Sequence, residues 1–381
     1  MQIFDNQDLT SSLYQRAISL SIGKDYAEKR NGKVATVKHQ GSEQENRRRE
    51  LLDVELEAQQ NKIIADHGEA HFRQQITQRF FDQVRSKINE DFDSKEHLYH
   101  TILGIEDAAP DILEILSKRA ASVNRIYPLA TSLPWLNNDL INLVNKPQYR
   151  KRADVQVTDG KLALSYIGLD NLKLVMPTFI LKHWLPTSTA PYGLMKRKLW
   201  NDSLSVALAA KALAAKLELD SFTAFTAGML SNIGQLAVTR CFLTTFNEMH
   251  SEQLKDAYNN KDKRLHNILV KIEASPDILL EQIVLRSAKL SADLIEQMNF
   301  EHLRITEAIF DLAYAEDTKK MCPIAEVVAK AKAFVTFRSL AKDELINADE
   351  TKALLQSVNL NPSEIALLKK SDIDHIKLNF S

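Results

Sequence analysis

The side chains best equipped for chemistry in the amino-terminal part of the chain are four histidines. His67 and His71 stand four residues apart, and His97 and His100 three apart. Each pair therefore shares one face of a helix, as a two-histidine metal clamp does. The first pair reads HGEAH, with Gly68 where a zinc peptidase needs its glutamate, so that chemistry is absent. Neither pair has a third ligand beside it, and both read as solvated surface histidines; no metal is expected. Cys241 and Cys322 are far apart, each within an apolar run, which suits buried free thiols in a reducing compartment better than a disulfide or a metal cluster. Arg47, Arg48 and Arg49, preceded by RNGKVATVKHQ, could form an arm for nucleic acid. Glu43, Glu45 and Glu50 interrupt that charge and no aromatic stacking platform is interleaved, so nucleic acid is not the expected partner.

The elements that must position any site are helices. The 381 residues carry 49 Lys plus Arg against 50 Asp plus Glu, so no global charge draws the chain to a polyanion. Ten Gly, ten Pro and few alternating β-branched runs imply helix joined to helix by short loops. No export signal is visible in MQIFDNQDLTSSLYQRA. The apolar stretch LSVALAAKALAAKLEL is interrupted by Lys211 and Lys216, short of a bilayer span. A cytoplasmic chain with no membrane contact is expected.

Residues 12–30 predict an amphipathic helix, followed by a polar stretch that is a hairpin or, preferably, a linker. From about Arg47 a long charged helix presents Phe72, Ile76, Phe80, Val84 and Ile88 at every fourth residue, with Phe81 widening the stripe. That face packs on the rest of the chain; the alternative is a homodimer or partner surface anchored by Phe72, Phe80 and Phe81. Beyond Ala108 the pattern predicts one helix over 111–130 and another ending at Pro147. A short helix, a tight turn at Gly168 and a helix opening near Asp170 follow. Next come a long Ala-rich helix and, after a cap at Asp220, a buried pair joined near Gly234. Three amphipathic helices and two shorter ones complete the chain.

The succession LINLVNKPQY, LSYIGLDNLKLV, LWNDSLSVALAAKALA, AFTAGMLSNIGQL and RSAKLSADLIEQMNF resembles, in order and spacing, the HDOD domain, a helical branch of the HD phosphohydrolase superfamily. The resemblance spans roughly residues 108–340. It implies an all-α, multi-helix bundle of the HD/HDOD type over 108–340; outside it the sequence pattern predicts a helical amino-terminal region over 1–107 and a short helical tail over 341–381 packed on the bundle. Asn145, Pro147, Gly168, Trp200, Gly228 and Gly234 fall at the family's structural positions.

The resemblance also bears on chemistry, because HD enzymes hold metal on histidines and aspartates from separate helices. Members that keep the doublet read Gly-Leu-Leu-His-Asp-Ile-Gly; this chain reads GMLSNIG, placing Ser231 and Asn232 at the doublet. An earlier family histidine falls at Asp202 in LWNDS, a later one at Ser287, and the final metal aspartate at Lys332. The resemblance thus implies a vestigial pocket lined by Asn201, Asp202, Ser231, Asn232, Ser287 and Lys332, with no catalytic residue, no metal and no cofactor. The expected role is a non-catalytic bacterial signal-transduction module that binds other signalling proteins; the pocket reads first as a polar patch satisfied internally or by water, and second as a site for a small nucleotide. Two alternatives stand beside it. One is a metal-dependent phosphohydrolase drawing on Asp202, His183 and the amino-terminal histidines; the other is a nucleic-acid regulator using Arg47–Arg49.

Overall fold

A computed structural model describes residues 2–32, 53–149 and 156–378 of the chain. Among the described residues there are seventeen α-helices and no strand. The amino-terminal region contributes α1 (Gln2–Ile22), α2 (Lys24–Arg30) and the long α3 (Asp53–Asp93), followed by a π turn over His97–Ile102. The middle of the chain forms α4 (Ala108–Ser117), α5 (Val123–Ser132), α6 (Pro134–Val144), α7 (Gly160–Ile167), α8 (Leu169–Trp184), α9 (Met195–Lys216), α10 (Ser221–Leu230), α11 (Ile233–Asn259) and α12 (Lys263–Leu269). The remainder comprises α13 (Pro276–Gln297), α14 (Thr306–Tyr314), α15 (Pro323–Lys342), α16 (Ala348–Ser357) and α17 (Pro362–Lys370).

Local chemistry explains most boundaries. Asp159, Asp220, Asp262 and Ser275 each cap a helix by accepting a backbone N–H with the side chain. Asn347 and Asn361 form reciprocal capping boxes with Glu350 and Glu364. Gly168, at φ +74°, makes the turn between α7 and α8 that a side chain would strain. Asn145 ends α6 two residues before Pro147, and its side chain exchanges hydrogen bonds of 2.7 and 2.9 Å with the Val157 backbone.

Three sequence expectations are corrected. The single helix expected over 111–130 is two, α4 and α5, separated at Lys118–Ser122. The joint of the buried pair is at Ser231–Asn232, and Gly234 lies inside α11. The helix expected over 12–30 is longer and breaks at Gly23 into α1 and α2. The polar stretch and Arg47–Arg49 lie outside the described residues.

The centre of the bundle is α9, which packs on α10, α15, α17 and α1. Helix α11 packs on α13 and on α3. Gly228 lets α10 approach α9 closely, since a Cβ there would stand 2.8 Å from the Ala207 Cα. Gly234 does the same for α11 and α13, where a Cβ would overlap the Ser287 carbonyl and the Ser291 amide. Trp184, Phe225 and Phe242 are fully buried in the resulting core. Trp200 is half-buried against it.

The amino-terminal helices pack directly on this bundle. Leu13 and Leu20 of α1 are buried, and α1 lies against α9, α13, α15 and α16. Arg16 fastens it, donating to the Leu345 carbonyl at 2.6 Å and pairing with Glu350 at 3.1 Å. On the far side, α3 buries Phe80 edge-on to Phe246 of α11, with Phe81 stacked on the same ring. Phe72 lies 4.0 Å beneath the Arg264 guanidinium. The three phenylalanines offered as partner anchors are thus engaged within the chain, because the stripe that carries them faces α11 and α12.

Candidate functional site

Asp202 projects from the second turn of α9, and Ser231 and Asn232 form the joint between α10 and α11. Ser287 projects from α13 and Lys332 from α15. Four separate segments of the bundle thus bring these five residues to one cavity of about 680 Å³. Asn201, expected with them, is exposed and outside the cavity. One residue along a helix turns the side chain by about 100°, which carries Asn201 to the solvent side of α9.

The cavity has a cover that sequence reasoning missed. Tyr14, Gln15, Ile18 and Ser21 of α1 form one of its walls. Their spacing follows the face of the amphipathic helix, but nothing in that pattern says which surface the face will meet.

The polar groups of the cavity are unevenly satisfied. Ser231 donates to the Gly228 carbonyl at 2.9 Å, and Ser291 accepts from the Gly234 amide at 3.0 Å. Ser287 Oγ is buried without a hydrogen-bond partner. Asn232 occupies the N-cap position of α11, yet its side chain does not cap the helix. Asp202 and Lys332 are the carboxylate and the cation among the described residues that line the cavity. The surface they retain faces that cavity. Burial lifts the Asp202 carboxyl to about 6, against the pull of Lys198 and Arg338. Burial pushes the Lys332 amine down to about 8, and burial pushes the Tyr14 phenol up to about 12.

A metal centre of the HD type does not fit these residues. One carboxylate, two hydroxyls and a neutral amide make a weak donor set, and an ammonium lining the same cavity opposes a divalent cation. His183 cannot complete it, because its ring is stacked 3.9 Å from Trp135 and faces Glu106. His97 faces Asp91 and His100 the Ile105 carbonyl; His71 is exposed, and the side chain of His67 lies outside the described residues. His71, His97, His100 and His183 do not line the cavity. Among the described residues one cluster has metal-ligand geometry, Glu114, Glu301 and His302. Glu114 is already engaged there by the His302 and Leu303 amides and by Lys118. Cys241 is a buried free thiol, raised to about 12 by burial and by nearby Asp91, and Cys322 is half-buried and unpaired.

Residues 103–302 match the model of the HDOD domain. The chain belongs to the HDOD family. The matched span runs from the end of the π turn through α13, and so includes Asp202, Ser231, Asn232 and Ser287 but neither α1 nor Lys332. Solved structures similar to the chain include a proposed phosphohydrolase from Shewanella amazonensis SB2B, 17% identical, covering 72% of this chain and 93% of its own, with a TM-score of 0.43. An HDOD domain protein with unknown function from Geobacter sulfurreducens is 19% identical, with coverage of 70% and 87% and a TM-score of 0.43. A proposed signal transduction protein from Marinobacter aquaeolei VT8 is 18% identical, with coverage of 77% and 66% and a TM-score of 0.43. No curated protein matches the sequence. Among the described residues, no helix of this HDOD protein is long and apolar enough to cross a membrane.

Proposed function

We propose that this HDOD protein is a non-catalytic, cytoplasmic module of bacterial signal transduction that acts through contacts with other proteins. The observation that carries the reading is the composition of the cavity. The positions at which the family resemblance seeks metal ligands converge there, and they supply one carboxylate, two hydroxyls, an amide and an amine. Hydrolysis of a phosphoester by this fold needs a metal-activated hydroxide, and that donor set favours neither the metal nor its hydroxide. Partner contacts must use surfaces other than Phe80 and Phe81, which the fold already buries or packs.

A nucleotide, the second reading of the pocket from sequence, fits this cavity less well than a simpler anion. Lys332 is the lining cation and Asp202 faces the same space, so a polyphosphate or a dinucleotide would be held with little charge compensation.

Metal analysis of the purified, untagged protein by inductively coupled plasma mass spectrometry tests the non-catalytic reading, together with hydrolysis of bis-p-nitrophenyl phosphate in added manganese. We expect substoichiometric metal and no turnover above the buffer rate. Stoichiometric iron, manganese or zinc, with turnover abolished in Asp202→Asn, would establish a phosphohydrolase with an unusual ligand set instead.

A further inference from the structure

We propose that the cavity beneath α1 is a binding chamber for a small organic monoanion with an apolar body, its acid group at Lys332. The inference rests on the reading of this cavity as metal-free and names what occupies it. A volume of about 680 Å³ lies within the range of small-molecule sites. The chamber's polar groups are arranged for an acid. Lys332 has no hydrogen bond or ion pair with a described residue, although Lys330, two residues earlier on α15, is paired with both Glu326 and Glu364. Ser287 Oγ is buried with a hydrogen left to donate.

Asn232 and Gln235 place the start of the 27-residue α11 at the same cavity. The positive end of that helix dipole favours negative charge.

The remaining walls set the rest of the ligand. Ile18 of α1, Val206 of α9, Ile283 of α13 and Leu312 of α14 offer apolar surface for a hydrocarbon body. Asp202 opposes a second negative charge, which limits the ligand to one. Because α1 forms a wall, a ligand seated there touches both the amino-terminal helix and the HDOD bundle.

Two fluorescent probes separate charge from shape. 1-Anilinonaphthalene-8-sulfonate is an organic monoanion, and N-phenyl-1-naphthylamine is the same ring system without the sulfonate. The full-length protein should bind the anion saturably, and decanoate should displace it while 1-decanol does not. Lys332→Met should weaken the anionic probe and decanoate by about tenfold or more, the scale of a charged hydrogen bond, and leave the neutral probe within about twofold. Ile18→Trp, which fills the chamber from α1, should reduce binding of both probes.

Absence of saturable anion binding by the wild type overturns the proposal, as does an unchanged anion affinity in Lys332→Met. Equal displacement by decanoate and decanol overturns it as well, and that comparison needs no variant. A metal-free protein that fails these tests leaves the non-catalytic reading intact. A metal-loaded protein that binds the anion independently of Lys332 removes both.

Discussion

Lys332→Met should stabilise the free protein, and the size of the gain follows from the burial of the amine. Lys332 is lowered from 10.5 to about 8 by burial alone. At roughly 1.36 kcal/mol per pKa unit, the charged form is disfavoured in the folded state by about 3 kcal/mol, and by less where water in the cavity reaches the amine. Methionine has nearly the same length and removes the charge. With an unfolding entropy of about 2.1 cal/mol/K per residue over 381 residues, a gain of that size raises Tm by roughly 4 °C. The pH dependence identifies the cause. The folded pKa lies below the unfolded one, so between about 8 and 10.5 the unfolded chain binds more protons and wild-type stability rises with pH. The variant lacks that slope. The gap between the two proteins should therefore be fullest below pH 8 and close above 10.5. Urea denaturation of both proteins at pH 7 and across that window measures it. A variant less stable than wild type at pH 7, or a gap that does not change with pH, would refute the assignment of Lys332 as an uncompensated buried cation.

Lys330 predicts the opposite outcome two residues away. Its amine lies 2.8 Å from Glu326 and 2.9 Å from Glu364, which is 3% exposed, so Lys330→Met should destabilise by about 3–5 kcal/mol and Lys330→Met with Glu364→Leu should recover most of it. Urea midpoints report both. Gly234→Ala should cost at least about 1–3 kcal/mol, because its Cβ would meet the Ser287 carbonyl, a backbone atom that can move only with α13; thermal denaturation and circular dichroism will show the loss. Arg16→Ala removes the Leu345 and Glu350 contacts of α1, which should lower its local opening energy by about 1–3 kcal/mol, seen as faster amide exchange over residues 9–22 with little change in α9–α11.

The helical class and most helices were legible because their signals are local. Asp220 announces its cap, Gly168 its turn, and the four-residue spacing from Phe72 to Ile88 an amphipathic face. Where a break carries no Gly or Pro it was hidden: the segment between α4 and α5, Lys118–Ser122, reads KRAAS and has neither. The site was legible only through ordered resemblance, since Asp202, Ser231, Ser287 and Lys332 are separated by tens of residues and share no spacing rule. Asn201 fell outside the cavity because neighbours in sequence project about 100° apart around a helix. Tyr14 and Ile18 were missed because an amphipathic face declares that it will be covered without saying by what.

The same side chain links stability to binding. A buried amine and a buried carboxylate, each without a hydrogen bond to a described residue, lower the stability of the fold, and an apolar residue at either position would relieve it. A cavity serving only packing gains nothing from them. A cavity that receives an acid recovers part of the Lys332 penalty when the acid arrives, so decanoate should stabilise the wild type by mass action more than it stabilises Lys332→Met. The stability gap between the free proteins should then narrow as the anion is added, by about 1.4 kcal/mol for a tenfold difference in affinity. Gains in the variant that persist unchanged at saturating decanoate would mean that the amine is a defect of packing with no part in binding.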